Sequence, residues 1–211
     1  MNIFGALFAG TVLVLNLFLP LAKTKNFNYW FERGVNSKSP GEQIECYTEA
    51  INLWKESIGL EKKAEAFYGR GFAYASKNFF NEAIDDYDIA IELNPKYAEA
   101  FAGRGNVYYL SGRSEDAIGD YNKAIEIKPD FAGAYNNRGV VYDDLSLYDK
   151  ALGDYTRAIL LKPGYANAYH NRGITYFRKG QKEEAKSDFA KAKESGYIYL
   201  QNITDADQLL K

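Results

Sequence analysis

Apolar and small residues follow a helical period along most of this 211-residue chain, and the same pattern returns every 34 residues. Five kinds of position keep this step. They are Gly71, Gly105, Gly139 and Gly173; Tyr74, Tyr108, Tyr142 and Tyr176; Ala83, Ala117, Ala151 and Ala185; Tyr87, Tyr121, Tyr155 and Phe189; and Pro95, Pro129 and Pro163. Because independent positions share one step length, the sequence predicts tandem structural units.

Each unit is predicted to contain two helices. Phe67, Gly71 and Tyr74 fall on one face of a first helix, because residues three and four apart share a face. Asn78 interrupts the pattern, and Pro95 ends the second helix because proline restricts the residue before it. The small residues beside large aromatic ones indicate close packing of the two helices.

The pattern resembles the tetratricopeptide repeat, which has an aromatic residue, glycine, tyrosine, alanine and proline at these offsets. The resemblance implies an all-α, right-handed α-solenoid of about five helix hairpins. Units two to five are assigned to residues 64–97, 98–131, 132–165 and 166–199. Unit five is predicted to end the array, because Lys186 and Lys193 stand where the inner units have isoleucine or leucine.

Unit one, residues 26–63, is predicted to be atypical. The interval from Gly34 to Tyr47 is 13 residues, against 16 in unit two, which predicts a turn three residues shorter. Its second helix is predicted to continue through Trp54 and Leu60. Altered terminal units are typical of repeat arrays, because the end units cover the core.

The two ends of the chain differ from the repeats. Residues 1–25 include an uncharged stretch from Ile3 to Ala22, long enough to cross a bilayer as a helix. A membrane anchor, a cleaved secretory signal and a buried helix all fit this stretch. The lysines that follow it favour a single-pass anchor with a cytoplasmic repeat domain, the alternative being export after signal cleavage. Residues 200–211 are predicted to form a capping helix over the last hairpin.

Composition excludes several classes of function. The net charge of −2 and the pI near 5.6 do not suggest a nucleic-acid binder. The single cysteine, Cys46, forms no internal disulfide and no cysteine cluster for a metal. We expect no cofactor and no metal, and the oligomeric state is left open.

An arginine and an aspartate also recur in each unit. They are Arg70, Arg104, Arg138 and Arg172 with Asp86, Asp120, Asp154 and Asp188. Equal numbers of both charges favour structural ion pairs across each hairpin over an anion-binding role.

The variable positions of the first helices are the candidate binding residues. In tetratricopeptide repeats the corresponding face lines a concave groove that holds an extended peptide. The candidates are Tyr68, Phe72, Asn106, Tyr109, Asn136, Asn137, Asn167, His170, Asn171 and Phe177. The alternative interpretation is that these are polar residues of a solvated face.

Asn106, Asn137 and Asn171 are the leading candidates for contact with a peptide backbone, because a carboxamide both donates and accepts hydrogen bonds. Relatives that bind chaperone tails hold a terminal carboxylate with three cationic residues. The equivalent positions here are Ala102, Asn167 and Asn171, so capture of an acidic C-terminus is not expected. The groove acids instead favour a neutral or mildly basic segment.

No catalytic constellation is visible. His170 and Cys46 are each the only residue of their type, and the neighbours Asp143 and Asp144 point apart on a helix. The sequence therefore predicts a non-catalytic adaptor that binds a peptide or partner protein near a membrane. The alternative is a structural component that self-associates through its convex face or through the long second helix of unit one.

Overall fold

The computed structural model describes residues 25–198, which fold into ten α-helices and one short 3-10 helix without a strand in this range. The first helices of units one to five are α1 (Phe27–Asn36), α3 (Leu60–Ser76), α5 (Ala98–Leu110), α7 (Ala132–Asp144) and α9 (Ala166–Arg178). The second helices are α2 (Pro40–Asn52), α4 (Phe80–Leu93), α6 (Ser114–Ile127), α8 (Tyr148–Leu161) and α10 (Lys182–Glu194). The prediction of an all-α repeat fold is confirmed.

The helices pack as five hairpins in chain order. Each first helix packs against the second helix of its own unit, and each second helix packs against the next first helix. The first helices α3, α5, α7 and α9 also contact one another in sequence. These contacts place the first helices on the inner side of the curved stack, where neighbouring units lie closest.

The recurring residues form the interior of each hairpin. Ala83, Ala117 and Ala151 have no exposed surface. The tyrosine four residues after each of them, such as Tyr87 after Ala83, is almost fully buried. A Cβ atom on Gly71 would lie 3.2 Å from the carbonyl oxygen of Ala83, so the helix crossing leaves no room for a side chain. The recurring residues are therefore constrained by packing.

The turn inside each of the last four hairpins contains one residue with a left-handed backbone. These residues are Asn78 (φ 61°), Gly112 (φ 77°), Ser146 (φ 60°) and Gly180 (φ 78°). Glycine adopts this conformation at little cost, whereas a serine is strained there. The third position of this series is thus occupied by the least suitable residue.

The structure corrects two predictions for unit one. The helix α2 ends at Asn52 and does not continue through Trp54, because residues 56–58 form the 3-10 helix and α3 already begins at Leu60. The Trp54 indole Nε1 donates to the carbonyl oxygen of Gly59 at 3.0 Å, and Gly59 has a φ of 90°. The backbone therefore turns at Gly59 where the sequence predicted a continuous helix.

The shorter interval between Gly34 and Tyr47 in unit one does not come from a shorter turn. The connection between α1 and α2 comprises residues 37–39, and the connection between α3 and α4 comprises residues 77–79, so both have the same length. The three missing residues shorten the end of α1 instead. The prediction of a shorter turn is wrong.

The predicted ion pairs of the hairpins are confirmed. Arg70 forms two hydrogen bonds to Asp86, both 2.8 Å long, and the three later units repeat this arrangement. Asp86 is buried, and burial raises the pKa of its carboxyl group, while Arg70 opposes this shift. The Arg70 guanidinium is thus the charge that compensates the buried carboxylate.

Lys186 and Lys193 are exposed on α10, the last helix among the described residues. That unit five ends the array stays a prediction. The predicted N-terminal hydrophobic helix and the C-terminal capping helix of residues 200–211 lie outside the described residues. Within residues 25–198, no helix has both the length and the apolar character that a membrane crossing needs.

Candidate functional site

The ten predicted site residues all lie on the first helices α3, α5, α7 and α9. Phe72 is 54% exposed, Asn106 and Asn167 are exposed, and Asn136 is buried with 5% of its surface accessible. Tyr68, Tyr109, Asn137, His170, Asn171 and Phe177 are half-buried. The structure thus places these residues on one inner surface, at different depths.

Open depressions lie along this inner surface, which we call the groove. The first lies between α3, α5 and α7, has a volume of about 320 Å³ and includes Tyr68, Phe72 and Leu110 in its lining. The second, of about 340 Å³, includes Tyr109 and Val140. Both depressions share Asn106, Leu110 and Asn137, so they adjoin one another.

The third depression extends the groove toward unit one. Phe31 and Val35 of α1 line it together with Tyr68 and Phe72, which also line the first depression. Phe31 and Val35 are absent from the predicted site, because the altered spacing of unit one obscures which of its residues correspond to the inner face. The apolar part of the groove therefore begins one unit earlier than predicted.

The asparagine side chains form a continuous chain of hydrogen bonds across three units. Asn171 Nδ2 donates to Asn136 Oδ1 at 3.1 Å, and Asn136 Nδ2 donates to Asn137 Oδ1 at 3.0 Å. Asn137 Nδ2 then donates to Asn106 Oδ1 at 2.9 Å. All three bonds run in the same direction, from α9 through α7 to α5. We call this series the amide chain.

The Tyr121 hydroxyl completes the chain by donating to Asn106 Oδ1 at 2.7 Å. Burial raises the pKa of Tyr121, so its hydroxyl remains protonated and available as a donor. Within residues 25–198, the Asn106 Nδ2 group donates no hydrogen bond, and the residue is exposed beside two depressions. The amide chain therefore ends in N–H groups that face the groove.

The prediction that Asn136 contacts a ligand directly needs correction. Its side chain is buried between Asn137 and Asn171 and hydrogen bonds to both, so it does not reach the groove surface. Its two neighbours in the amide chain, Asn137 and Asn171, are the residues that lie at the groove surface. Asn136 thus links and orients the amides of the other two.

The amide chain does not extend to the equivalent positions of the first helices in units two and three. The positions equivalent to Asn137 are Gly69 and Gly103. A Cβ atom would lie 2.5 Å from Tyr47 Cζ at Gly69 and 2.8 Å from Tyr87 Cζ at Gly103. The rings of Tyr47 and Tyr87 therefore pack directly against these two glycines.

A cluster of charged and hydroxyl groups lies at the end of the groove near units four and five. Asp143 is buried, accepts a hydrogen bond from Thr175 Oγ1 at 2.7 Å and forms an ion pair with Arg178. Asp144 is exposed and accepts a hydrogen bond from the Tyr109 hydroxyl. Burial, followed by the hydrogen bond to Asp144, raises the pKa of Tyr109 to about 12, so this phenol is neutral at physiological pH.

His170 lies at the unit-five end of the groove. Its ring stacks on Tyr197 with the ring centres 4.1 Å apart and the planes inclined by 13°. Burial lowers the pKa of the imidazole. The contact with Tyr197, which follows α10, is a feature that the sequence did not predict.

The groove also includes Leu110, which helical spacing places on the same face as Asn106 and Tyr109, and Tyr121, which sequence reasoning missed. Leu110 is 61% exposed and separates the first and second depressions. Tyr121 was assigned to packing alone, although its hydroxyl was a signal that a polar partner is needed. Both residues line the second depression together with the predicted site residues Asn106, Tyr109 and Asn137.

The fold and the groove define an α-solenoid of helix hairpins with a polar and an apolar part on its inner face. A family model described as TPR repeat matches residues 71–112 and 105–146, and two models described as tetratricopeptide repeat match residues 132–165 and 154–187. Together these matches span more than half of the chain. The chain belongs to the tetratricopeptide repeat family.

Solved structures share this fold. A crystal structure of MamA is 29% identical, with a TM-score of 0.61, and the match covers 72% of this chain and 90% of that chain. A MamA fragment from Desulfovibrio magneticus RS-1 is 21% identical, with a TM-score of 0.67 and coverage of 80% and 92%. YrrB, described as a TPR protein with an unusual peptide-binding site, is 24% identical, with a TM-score of 0.61 and coverage of 81% and 84%. No curated protein matches the sequence.

Proposed function

We propose that this protein is a non-catalytic adaptor that binds an extended segment of a partner protein in the groove. The amide chain is the observation that carries the proposal. Its N–H groups at Asn106 are exposed beside two depressions, where they can donate to the carbonyl oxygens of an extended backbone. The side chains are already held by hydrogen bonds, so binding restricts fewer rotamers.

Apolar surface next to the amide chain supports the same function. Phe72 and Leu110 are exposed by more than half and line the same depression. Burial of such side chains against a ligand is favourable by about 25 cal/mol per Å². The groove thus combines hydrogen bonding to a backbone with apolar contact to side chains.

The related folds are compatible with this proposal. YrrB has the same solenoid fold and is described as having a peptide-binding site. The shared fold alone does not transfer a ligand, because one scaffold supports many functions. The groove residues of this chain are therefore what supports peptide binding here.

We further propose that the stretch from Ile3 to Ala22 anchors the protein in a membrane, with the repeats on the cytoplasmic side. The uncharged composition of this stretch and the lysines after it support the proposal. Membrane fractionation with alkaline washing tests it, together with the intact mass of the mature protein. A mature protein that lacks these residues would instead support export after signal cleavage.

Site-specific photo-crosslinking in the native cell tests the adaptor function. A photoreactive amino acid at Leu110 lies in the groove, whereas the same group at Leu160 lies on second helix α8 with similar exposure. We expect Leu110 to capture a partner that Leu160 does not capture. Replacement of Asn106, Asn137 and Asn171 by alanine should reduce that product, and equal capture at both positions would contradict groove binding.

The alternative function is self-association through the outer face. Leu160 is 68% exposed and favours this alternative, although single exposed apolar residues are common on protein surfaces. The same experiment separates the two functions. A crosslink from Leu160 to a second copy of this chain, without capture at Leu110, would select the structural role.

A further inference from the structure

We propose that the groove recognises an extended peptide that carries a large apolar residue and, two positions along from it, a lysine or arginine that binds beside Asp144 and the ring of Tyr109. This inference rests on the proposed function, because it names the ligand class of the same groove. The apolar residue would enter the depression lined by Phe72 and Leu110.

The charges of the groove support a basic ligand residue. Asp143 and Asp144 are two carboxylates beside a single guanidinium, that of Arg178, which pairs with Asp143. The Asp144 carboxylate has only the Tyr109 hydroxyl as its hydrogen-bond partner among the described residues. One negative charge therefore remains uncompensated at this end of the groove.

The other acidic residues of the groove do not compete for this role. Glu65 pairs with Lys62 at 2.5 Å, and Glu99 pairs with Lys128 at 2.8 Å. Both carboxylates are therefore already compensated by a lysine of this chain. A cation of a ligand is therefore attracted more strongly by Asp144 than by Glu65 or Glu99.

The Tyr109 ring adds a second contact for a cation. Its hydroxyl is fixed on Asp144, and the side chain lines the second depression. A lysine or arginine placed over an aromatic face is attracted by the ring electrons, in addition to any carboxylate beside it. The pair of Tyr109 and Asp144 thus offers both kinds of attraction at one place.

The spacing of the two ligand residues follows from the two adjoining depressions. They share Asn106, Leu110 and Asn137 along their common border. In an extended peptide, side chains two positions apart point to the same side and are separated by roughly 7 Å. One intervening residue therefore lets an apolar side chain enter the first depression while a basic side chain reaches Tyr109 at the second, next to Asp144, and the backbone between them passes Asn106.

A random twelve-residue peptide library selected on the full-length protein in detergent micelles tests this inference. Parallel selections use Asp144→Asn, Asp144→Lys and a groove variant with Phe72→Ala and Leu110→Ser. Asp85→Asn is the matched control, because Asp85 is exposed on second helix α4, away from the groove. Sequencing of each pool gives the residue preference at every position.

We expect the wild-type and Asp85→Asn pools to share the apolar and basic pair. The Asp144→Asn pool should lose most of the basic preference and keep the apolar one, and Asp144→Lys should convert the basic preference to an acidic one. For one selected peptide, replacing its basic residue by glutamine should weaken binding to the wild type by about two- to fivefold, and this loss should be clearly smaller in Asp144→Asn.

The unfavourable outcomes distinguish the two proposals. Peptides that fail to bind the Phe72→Ala, Leu110→Ser variant but show no basic preference would overturn this inference and leave the groove function intact. An acidic preference on the wild-type protein would overturn it as well. Peptides that bind the groove variant as well as the wild type would overturn both proposals.

Discussion

Arg104 and Asp120 form a bidentate ion pair across the unit-three hairpin, with Nε and Nη2 each 2.8 Å from a carboxylate oxygen. The remaining Nη1 of Arg104 donates to Asp88 on α4 of the preceding unit. Each equivalent arginine repeats this arrangement, with its third bond to Thr48 from Arg70, to Asn122 from Arg138 and to Thr156 from Arg172. The arginine thus joins the two helices of its own unit and also the unit before it.

Replacement of Arg104 by alanine should lower the free energy of unfolding by about 3 kcal/mol, because it leaves the buried Asp120 carboxylate without a counter-charge. Urea unfolding monitored by circular dichroism measures the change. Arg113→Ala is the control, since Arg113 and Asp116 have half-exposed side chains and should contribute less than about 1 kcal/mol. Equal losses for both variants would show that burial of Asp120 is unimportant.

Gly103→Ala should destabilise the fold by about 1–3 kcal/mol, because the added Cβ would lie 2.8 Å from Tyr87 Cζ. Gly119→Ala has the opposite expectation. Gly119 lies within α6 with no atom within 4 Å of the added Cβ, so alanine should stabilise the helix by about 0.5–1 kcal/mol. Thermal unfolding of both variants measures these effects, and a neutral Gly103→Ala would contradict the close ring contact.

Much of the fold was predictable because the repeating residues make local, repeated contacts. Gly71 and Ala83 recur with one spacing since each unit has the same helix crossing. Unit one was less predictable, because its recurring residues, such as Gly34 and Tyr47, have a different spacing from those of the other units. At the Gly59 turn, the Trp54 indole donates a hydrogen bond to the Gly59 carbonyl oxygen. This contact between a side chain and the backbone is not revealed by any periodicity of the sequence.

The candidate site was predictable as a surface but not as a set of interactions. Helical spacing placed Asn137 and Asn171 on the inner face, as the structure shows. It could not show that Asn136 is buried between them, because burial at that point depends on how α7 and α9 approach each other. How deeply each residue is buried depends on the neighbouring units. It cannot be predicted from the residue pattern of a single helix.

Ser146→Gly should stabilise the protein by about 0.5–1 kcal/mol. Ser146 has a φ of 60°, and glycine removes the steric cost of a left-handed backbone while losing part of the gain to unfolded-chain entropy. Gly112→Ala, at the equivalent turn of unit three, is the reverse substitution and should be destabilising. Differential scanning calorimetry compares the two, and a loss of stability in Ser146→Gly would contradict the strain argument.

Asn136→Ala should lower the free energy of unfolding by about 1–2 kcal/mol, because it removes the hydrogen-bond partners of Asn137 Oδ1 and Asn171 Nδ2. It should also weaken peptide binding in the groove, although Asn136 is buried, since its neighbours lose their fixed orientation. Asn167→Ala is the control on the exposed part of α9 and should change stability by less than about 0.5 kcal/mol. Unchanged binding in a folded Asn136→Ala protein would separate the amide chain from ligand recognition.

His170 should titrate below the ordinary histidine pKa of 6.5, because burial disfavours the charged imidazolium. It is the only histidine in the chain, so its ring proton signals in an NMR titration are assigned without ambiguity.

The lowered pKa of His170 also makes stability depend on pH, because the unfolded chain binds a proton at His170 more readily than the folded one. The contribution of His170 to stability is therefore complete above pH 6.5 and is lost as the pH falls from there through the lowered pKa. His170→Phe keeps a ring against Tyr197 and removes the titration, so its stability should fall less than that of the wild type over this range. A midpoint at or above 6.5 would show that the ring is hydrated or that it faces a negative charge.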